Sequence, residues 1–190
     1  SNTQRARLPA GVRSSNGDSS AASARPSRTV RSRAERRTHS GSPNALSAGR
    51  GAFFGSILGT LKHIAAGDTI WLQRYQRHPN TFRALEPMRG IATPGGLTHI
   101  YSNDLAVLQA HRARLDAIIE ALAAEVSDDD LAQPVLYKNS RGSFRKKFGS
   151  LLLHFFNHQT HHRGQVSTLL SQSNVDIGVT DLVAWVPNEC

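Results

Sequence analysis

Between Leu151 and Gln165 the sequence reads LLLHFFNHQTHHRGQ, and four of these residues are histidines. The whole chain of 190 residues holds nine histidines, so His154, His158, His161 and His162 are a concentration and not a sprinkling. At about 100° per residue, a helix places Leu151, His154, His158, His161, His162, Gln165 and Leu169 on one face. His158 and His162 are four apart, with Cβ atoms about 6 Å from one another. Two imidazole nitrogens at that spacing can converge on one cation at roughly 2.0–2.1 Å each. The plainer reading is a set of surface or hydrogen-bonded core histidines, and i,i+4 pairs do arise by chance. Four basic rings crowded on a half-apolar face would nevertheless each lose hydration with nothing to offset the loss. The pattern points to metal binding.

Two ligands hold a metal weakly, so a third is expected from another element. The only cysteine is Cys190, which excludes Cys-rich zinc motifs and leaves histidine and carboxylate as donors. The remaining histidines are His39, His63, His78, His99 and His111. His63 is the one embedded in a strongly apolar helical stretch, where an unpaired imidazole is hardest to explain. It lies off the main stripe of that helix, on the flank with Gly59, Ala66 and Ile70, a position that is compatible with a ligand without demanding one. Three neutral imidazoles would leave a coordination position open for water or substrate, as catalytic sites do. Such a site lowers the pKa of bound water, activates a thiolate or polarises a carbonyl.

The elements that must position these residues are helical. From Phe53 to Tyr75 (FFGSILGTLKHIAAGDTIWLQRY), Phe54, Ile57, Leu58, Leu61, Ile64, Ala65, Asp68, Leu72 and Tyr75 recur at three- and four-residue steps. That helix should stop before His78, because Pro79 disfavours helical geometry in the residue preceding it. Residues 79–97, with Pro87, Pro94, Gly95 and Gly96, read as a long loop. A second helix is expected from Thr98 to Val126, burying Leu105, Leu108, Leu115, Ile119, Leu122 and Val126 and leaving Arg112, Arg114 and Glu120 outside. Asp128 to Asp130 should end it as a solvated acidic cluster. Val135 to Phe144 reads as a short hairpin, because a β-prone run meets a turn containing Gly142. A third helix should span Lys147 to Ser173, with Asn174 capping it in the left-handed conformation. Leu182, Val183, Trp185 and Val186 are expected to dock on the bundle.

The charge is unevenly placed. Residues 1–50 hold ten arginines against Asp18 and Glu35, whereas residues 51–190 hold 13 basic against 12 acidic residues. The first fifty residues include eleven serines and no aromatic, too little apolar surface to offset the entropy of ordering. They read as a disordered, transit-peptide-like or aberrant segment preceding a helical domain at 51–190. An Arg-rich tail also suits nucleic acid, but no aromatic interleaves with the arginines and no binding motif appears, so nucleic acid is an unfavoured partner. No apolar run approaches the roughly 20 residues of a membrane helix, and no apolar signal region opens the sequence. A single cysteine fits a reducing compartment, so a cytoplasmic location with no membrane partner is expected.

The segments GAFFGSILGTLKHIAAGDTIWLQRY at 51–75 and HFFNHQTHHRGQ at 154–165 resemble the DinB (DinB/YfiT-like) family of metalloenzymes. The resemblance spans about residues 51–186, and NHQTHHRGQ is its most specific part. It implies an all-α, DinB-like four-helix bundle with a small β-hairpin before the last helix. It also implies a divalent metal held by His63, His158 and His162. His154 and His161 then border the pocket, and Gln165 faces the same cavity. Family members begin with an aromatic-bearing amphipathic helix that residues 1–50 do not supply. A substituted or frameshifted N-terminus is the expected reason, or else a partner chain filling the gap; a homodimer is a separate expectation.

The resemblance further implies a metal-dependent enzyme of stress response or detoxification, either a thiol S-transferase or a hydrolase. Its substrate would be a small molecule with a low-molecular-weight thiol as partner. Gln165 or His161 would orient substrate or water, and Asp68 is the acid nearest to His63 in sequence. The alternatives are a metal-binding bundle without turnover, serving as sensor or interaction module, and a nucleic-acid binder acting through the tail. Three nitrogen donors suit zinc or nickel first, with iron, manganese or copper also admissible.

Overall fold

The computed structural model describes residues 43–96 and 102–189. Most of the Arg-rich segment lies outside the described residues, as do His39 and His99 and the expected start of the second helix at Thr98. The described elements run in the order α1 (Pro43–Ser47), α2 (Ile57–Tyr75), a 3-10 helix (Arg83–Gly90), α3 (Leu105–Glu125), α4 (Asp128–Ala132), β1 (Pro134–Asn139), β2 (Gly142–Lys147), α5 (Phe148–Ser171) and a terminal 3-10 turn (Leu182–Trp185). The chain is mostly helical, with one antiparallel hairpin immediately before its last long helix. Among the described residues no helix is long and apolar enough to cross a membrane.

Helix α2 is the central rod. Ile57, Leu58, Ile64, Ala65, Ala66, Leu72 and Tyr75 are all buried, which accounts for an apolar character around nearly its whole circumference. It starts at Ile57 and not at Phe53, because Ser56 takes an extended conformation and its side chain accepts the Gly59 amide at 3.0 Å. That N-cap satisfies one of the backbone donors a helix start leaves open. Upstream, Gly55 sits at a φ of +76°, so residues 52–55 form a tight turn where helical spacing predicted a first turn of helix. Leu46 of α1 packs against the clusters around Ile57 and Leu58, inside the stretch whose composition predicts disorder.

The main core joins α2 and α5 to α3 and β1. Leu72, Tyr75, Leu115, Leu122, Val135, Phe148, Leu151 and Phe155 form one buried cluster. The Tyr75 hydroxyl donates to the Leu151 carbonyl at 2.9 Å, tying α2 to α5 below the histidines. The segment read as a plain loop contains the Arg83–Gly90 3-10 helix, which delivers buried Leu85 and Met88 to this cluster. The Glu125 carboxylate accepts the Arg83 and Ala84 amides at 2.9 Å each, so a side chain from the end of α3 caps it.

Helix α3 begins at Leu105, after Asp104 caps it by accepting the Ala106 amide at 2.8 Å. Leu105 is consequently exposed at the helix mouth and does not join the buried stripe, whereas Ile118 does. Asp128 to Asp130 do not merely end α3 in solvent. Ser127 and Asp130 form a capping box that starts α4, and Asp130 is buried. In the hairpin, Tyr137 pairs with Phe144 and alternation buries Val135 and Tyr137 while Leu136 faces out. Asn174 adopts the left-handed conformation at φ 57° just beyond α5. Of the four tail residues expected to dock, the Trp185 side chain lies outside the described residues and the other three do not dock. Leu182, Val183 and Val186 are exposed, and a four-residue turn held by local hydrogen bonds from its Asp181 cap is too short to lay down a continuous apolar face.

Candidate metal centre

Three imidazoles meet between α2 and α5. His63 Nε2 lies 3.1 Å from His158 Nε2 and 3.0 Å from His162 Nε2. Among the described residues this is the group of histidine, cysteine and carboxylate side chains placed to hold a metal, with donor atoms all within 4.8 Å of one another. His63 and His162 are buried and His158 is half-buried. Among the described residues, His63 is the histidine of another helix that joins the α5 pair. His78 is a satisfied core residue, its Nε2 donating to the Asp130 carbonyl at 3.1 Å while its Nδ1 accepts the Asn80 amide at 3.0 Å. His111 pairs with the Thr69 hydroxyl at 3.1 Å.

Close approach of α2 and α5 depends on Gly67, one turn after His63 on the same helix face. A Cβ built there would sit 2.9 Å from His158 Cε1, so only a residue without a side chain leaves room for the ring. Burial first, and then repulsion from the His162, His63, His154 and His161 rings, push the His158 imidazole from 6.5 down to about 4. A neutral ring keeps the lone pair that a cation needs. His162 points its Nδ1 at Gln165 Oε1, 2.8 Å away, which leaves its Nε2 toward the cluster. Three imidazoles with converging Nε2 atoms form a donor set that fits a borderline divalent cation.

Phe54 is a site residue that helical spacing assigns to the buried stripe of α2. It lies instead in the turn before α2, stacked on His63 with ring centroids 3.8 Å apart and 17° between planes, and edge-on to His162 at 5.4 Å. A side chain at Gly59 would strike the Phe54 carbonyl oxygen, so that glycine admits the turn against the helix. The legible signal was a glycine inside an apolar helix, four residues after another glycine that follows an aromatic pair.

The remaining residues sort by position. His161 is exposed and its Nε2 accepts from Gln165 Nε2 at 3.1 Å, which puts both beside His162. His154 lies one turn before His158 on α5, edge-on to Trp71 at 5.1 Å, with its ring 6.0 Å from that of His158.

Asp68 faces away from the imidazoles into a separate polar knot, where Arg112 pairs with it and Gln159 Nε2 donates to it at 2.8 Å. Arg112 also reaches Asp116, one turn on along the same helix, at 2.9 Å, and its pairing with Asp68 of α2 puts it at the helix interface although it lies off the buried stripe of α3. Burial lifts the Asp68 carboxyl from 3.8 to about 6, against the Arg112 charge and hydrogen bond, the Gln159 donor and the Arg163 charge. A raised folded-state pKa means the native protein binds a proton that the unfolded chain has released between those two values. The Asp68 contribution to stability is therefore full below pH 3.8 and falls away as pH rises to about 6. Urea unfolding of wild type and Asp68→Asn should give a stability advantage for wild type that is larger at pH 4.5 than at pH 7.5. An advantage that grows with pH would contradict this.

A family model described as the DinB family matches residues 21–184, beginning well upstream of Gly51 and covering most of the chain. No curated protein and no solved structure matches the chain.

Proposed function

The chain belongs to the DinB family, and we propose that its His63, His158 and His162 centre makes it a metal-dependent enzyme of the thiol S-transferase or hydrolase type. The observation that carries this reading is the convergence of three Nε2 atoms from two helices, that of His63 lying 3.1 and 3.0 Å from those of His158 and His162, lined on one side by an aromatic ring. Three protein nitrogens are the donor count of catalytic zinc sites, whereas structural sites use four protein ligands. A divalent cation, zinc or nickel first, supplies Lewis acidity that lowers the pKa of water or a thiol in this setting.

The chain's own residues account for the rest. Burial and mutual repulsion keep His158 neutral at physiological pH. Phe54 covers the His63 face and excludes water there. His161, exposed and with its ring 4.7 Å from that of His162, is the polar group placed to orient a substrate or a water at the mouth of the site. Asp68 is withdrawn from any such role by its ion pair with Arg112. The substrate class that suits these groups is a small electrophile with a low-molecular-weight thiol, which fits a part in detoxification or stress response.

Conjugation of a low-molecular-weight thiol to a reporter electrophile tests this directly. Turnover should appear with the metal-loaded protein, vanish with a strong chelator and return when zinc or nickel is restored. Full metal occupancy without turnover of any thiol or ester reporter would favour a sensor or interaction module instead.

A further inference from the structure

The three imidazoles are not supported alike. His158 Nδ1 is buried and has no hydrogen-bond partner, whereas His162 Nδ1 meets Gln165 Oε1 at 2.8 Å. We propose that Gln165 is a positioning residue of this centre, its side-chain oxygen holding His162 in the Nδ1–H tautomer so that the Nε2 lone pair faces His63 and His158. The proposal rests on the reading that the three imidazoles hold a cation, and it gives Gln165 a task through His162 in place of contact with substrate.

With the amide oriented as in the structure, the chemistry of the pair allows one arrangement. An amide oxygen accepts and never donates, so the proton between Gln165 Oε1 and His162 belongs to Nδ1. A neutral imidazole carries a single N–H, and Nε2 is left bare. The amide has a second anchor, because Gln165 Nε2 donates to His161 Nε2 at 3.1 Å. Reversing the amide would present an NH2 group to His162 Nδ1. The ring proton would then move to Nε2, pointing into the cluster where a cation must sit.

Helix geometry makes this brace automatic, since Gln165 is three residues after His162 and four after His161 on the same face. It also explains a role for His161 that needs no contact with metal. Outer partners of metal-binding histidines fix ring orientation and raise ligand basicity, and losing one typically costs 10–100-fold in metal affinity.

Gln165→Leu removes the acceptor at similar volume, and Gln165→Glu keeps an acceptor in the same place. Gln165 sits half-exposed on α5, so the fold should tolerate either substitution. Long-range proton–nitrogen NMR of the metal-free protein should show His162 as the Nδ1–H tautomer in wild type and Gln165→Glu, and a loss of that preference in Gln165→Leu. Competition with a zinc chelator at pH 8 should show zinc binding weakened about 10–100-fold in Gln165→Leu and retained in Gln165→Glu. Unchanged tautomer and unchanged zinc affinity in Gln165→Leu would overturn the proposal, and so would equal losses in both variants, which would show that packing alone matters. A wild-type protein that takes up no zinc would sink the metal reading. The tautomer measurement, made without metal, would still decide whether Gln165 sets the state of His162.

Discussion

Substituting alanine for His63 should empty the site. The protein purified without a His-tag is expected to carry close to one divalent metal per chain, and His63→Ala close to none. The reason is the division of donors between two helices. His158 and His162 sit on one face of α5, and His63 is the candidate donor that α2 brings, with its Nε2 3.1 and 3.0 Å from theirs. Without it two nitrogens remain on a single rod, and an ion they held would have to complete its coordination with water. Loss of a ligand should exceed the 10–100-fold penalty typical of losing an outer partner. The fold should survive, because the missing ring leaves a modest cavity beneath Phe54 at a cost of about 1–3 kcal/mol. His158→Ala should lose metal to a similar extent. Elemental analysis beside a thermal melt separates ligand loss from unfolding, and full occupancy in either variant would show that the ligands are misassigned.

Gly67→Ala should have the second largest effect, and it is informative because two properties should part company. An added methyl would stand 2.9 Å from His158 Cε1, nearer than non-bonded carbons approach. The atom in its way belongs to a ring wedged between His63 and His162, so relief means turning the imidazole out of the cluster. Metal affinity is expected to fall about 10–100-fold, the scale seen when a ligand is held in the wrong orientation. Helix stability moves the other way, since alanine favours a helix interior over glycine by about 1 kcal/mol. Overpacking opposes that gain by about 1–3 kcal/mol, so the metal-free variant should melt within a few degrees of wild type. Chelator competition and a melt of the metal-free protein read the two effects separately. Wild-type affinity in Gly67→Ala would mean that His158 does not need its observed position.

The physical signals legible in this sequence are local ones. The α5 histidine face was legible because i,i+3 and i,i+4 spacing on one helix is a property of the sequence alone. His63 was recognisable as odd, an imidazole in an apolar helix, but its partner lies on another helix and periodicity cannot say which flank meets which neighbour. The family resemblance supplied that pairing. Phe54 was misplaced because an apolar residue three positions before Ile57 matches a helical stripe equally well whether or not the helix has begun. Ser56, an N-cap residue followed by a glycine-bearing first turn, was the overlooked marker. The 3-10 helix at Arg83–Gly90 escaped because Pro87 argues for a loop and because Glu125, which caps it, is remote in sequence. The sequence places Arg112 off the buried stripe of α3, and nothing local reveals that buried Asp68 is its partner. The exposed tail residues show the converse error, in which apolar side chains suggest docking although a four-residue turn cannot organise them.

All of this turns on whether three imidazoles share one cation. X-ray absorption at the edge of the metal that copurifies with the untagged protein, or of zinc added in stoichiometric amount, addresses that point directly. The expected spectrum shows three imidazole scatterers at roughly 2.0–2.1 Å and about one metal per chain, with one scatterer lost in His63→Ala. A wild-type protein that retains no metal, or a coordination sphere built from carboxylates with fewer than three imidazoles, would contradict it.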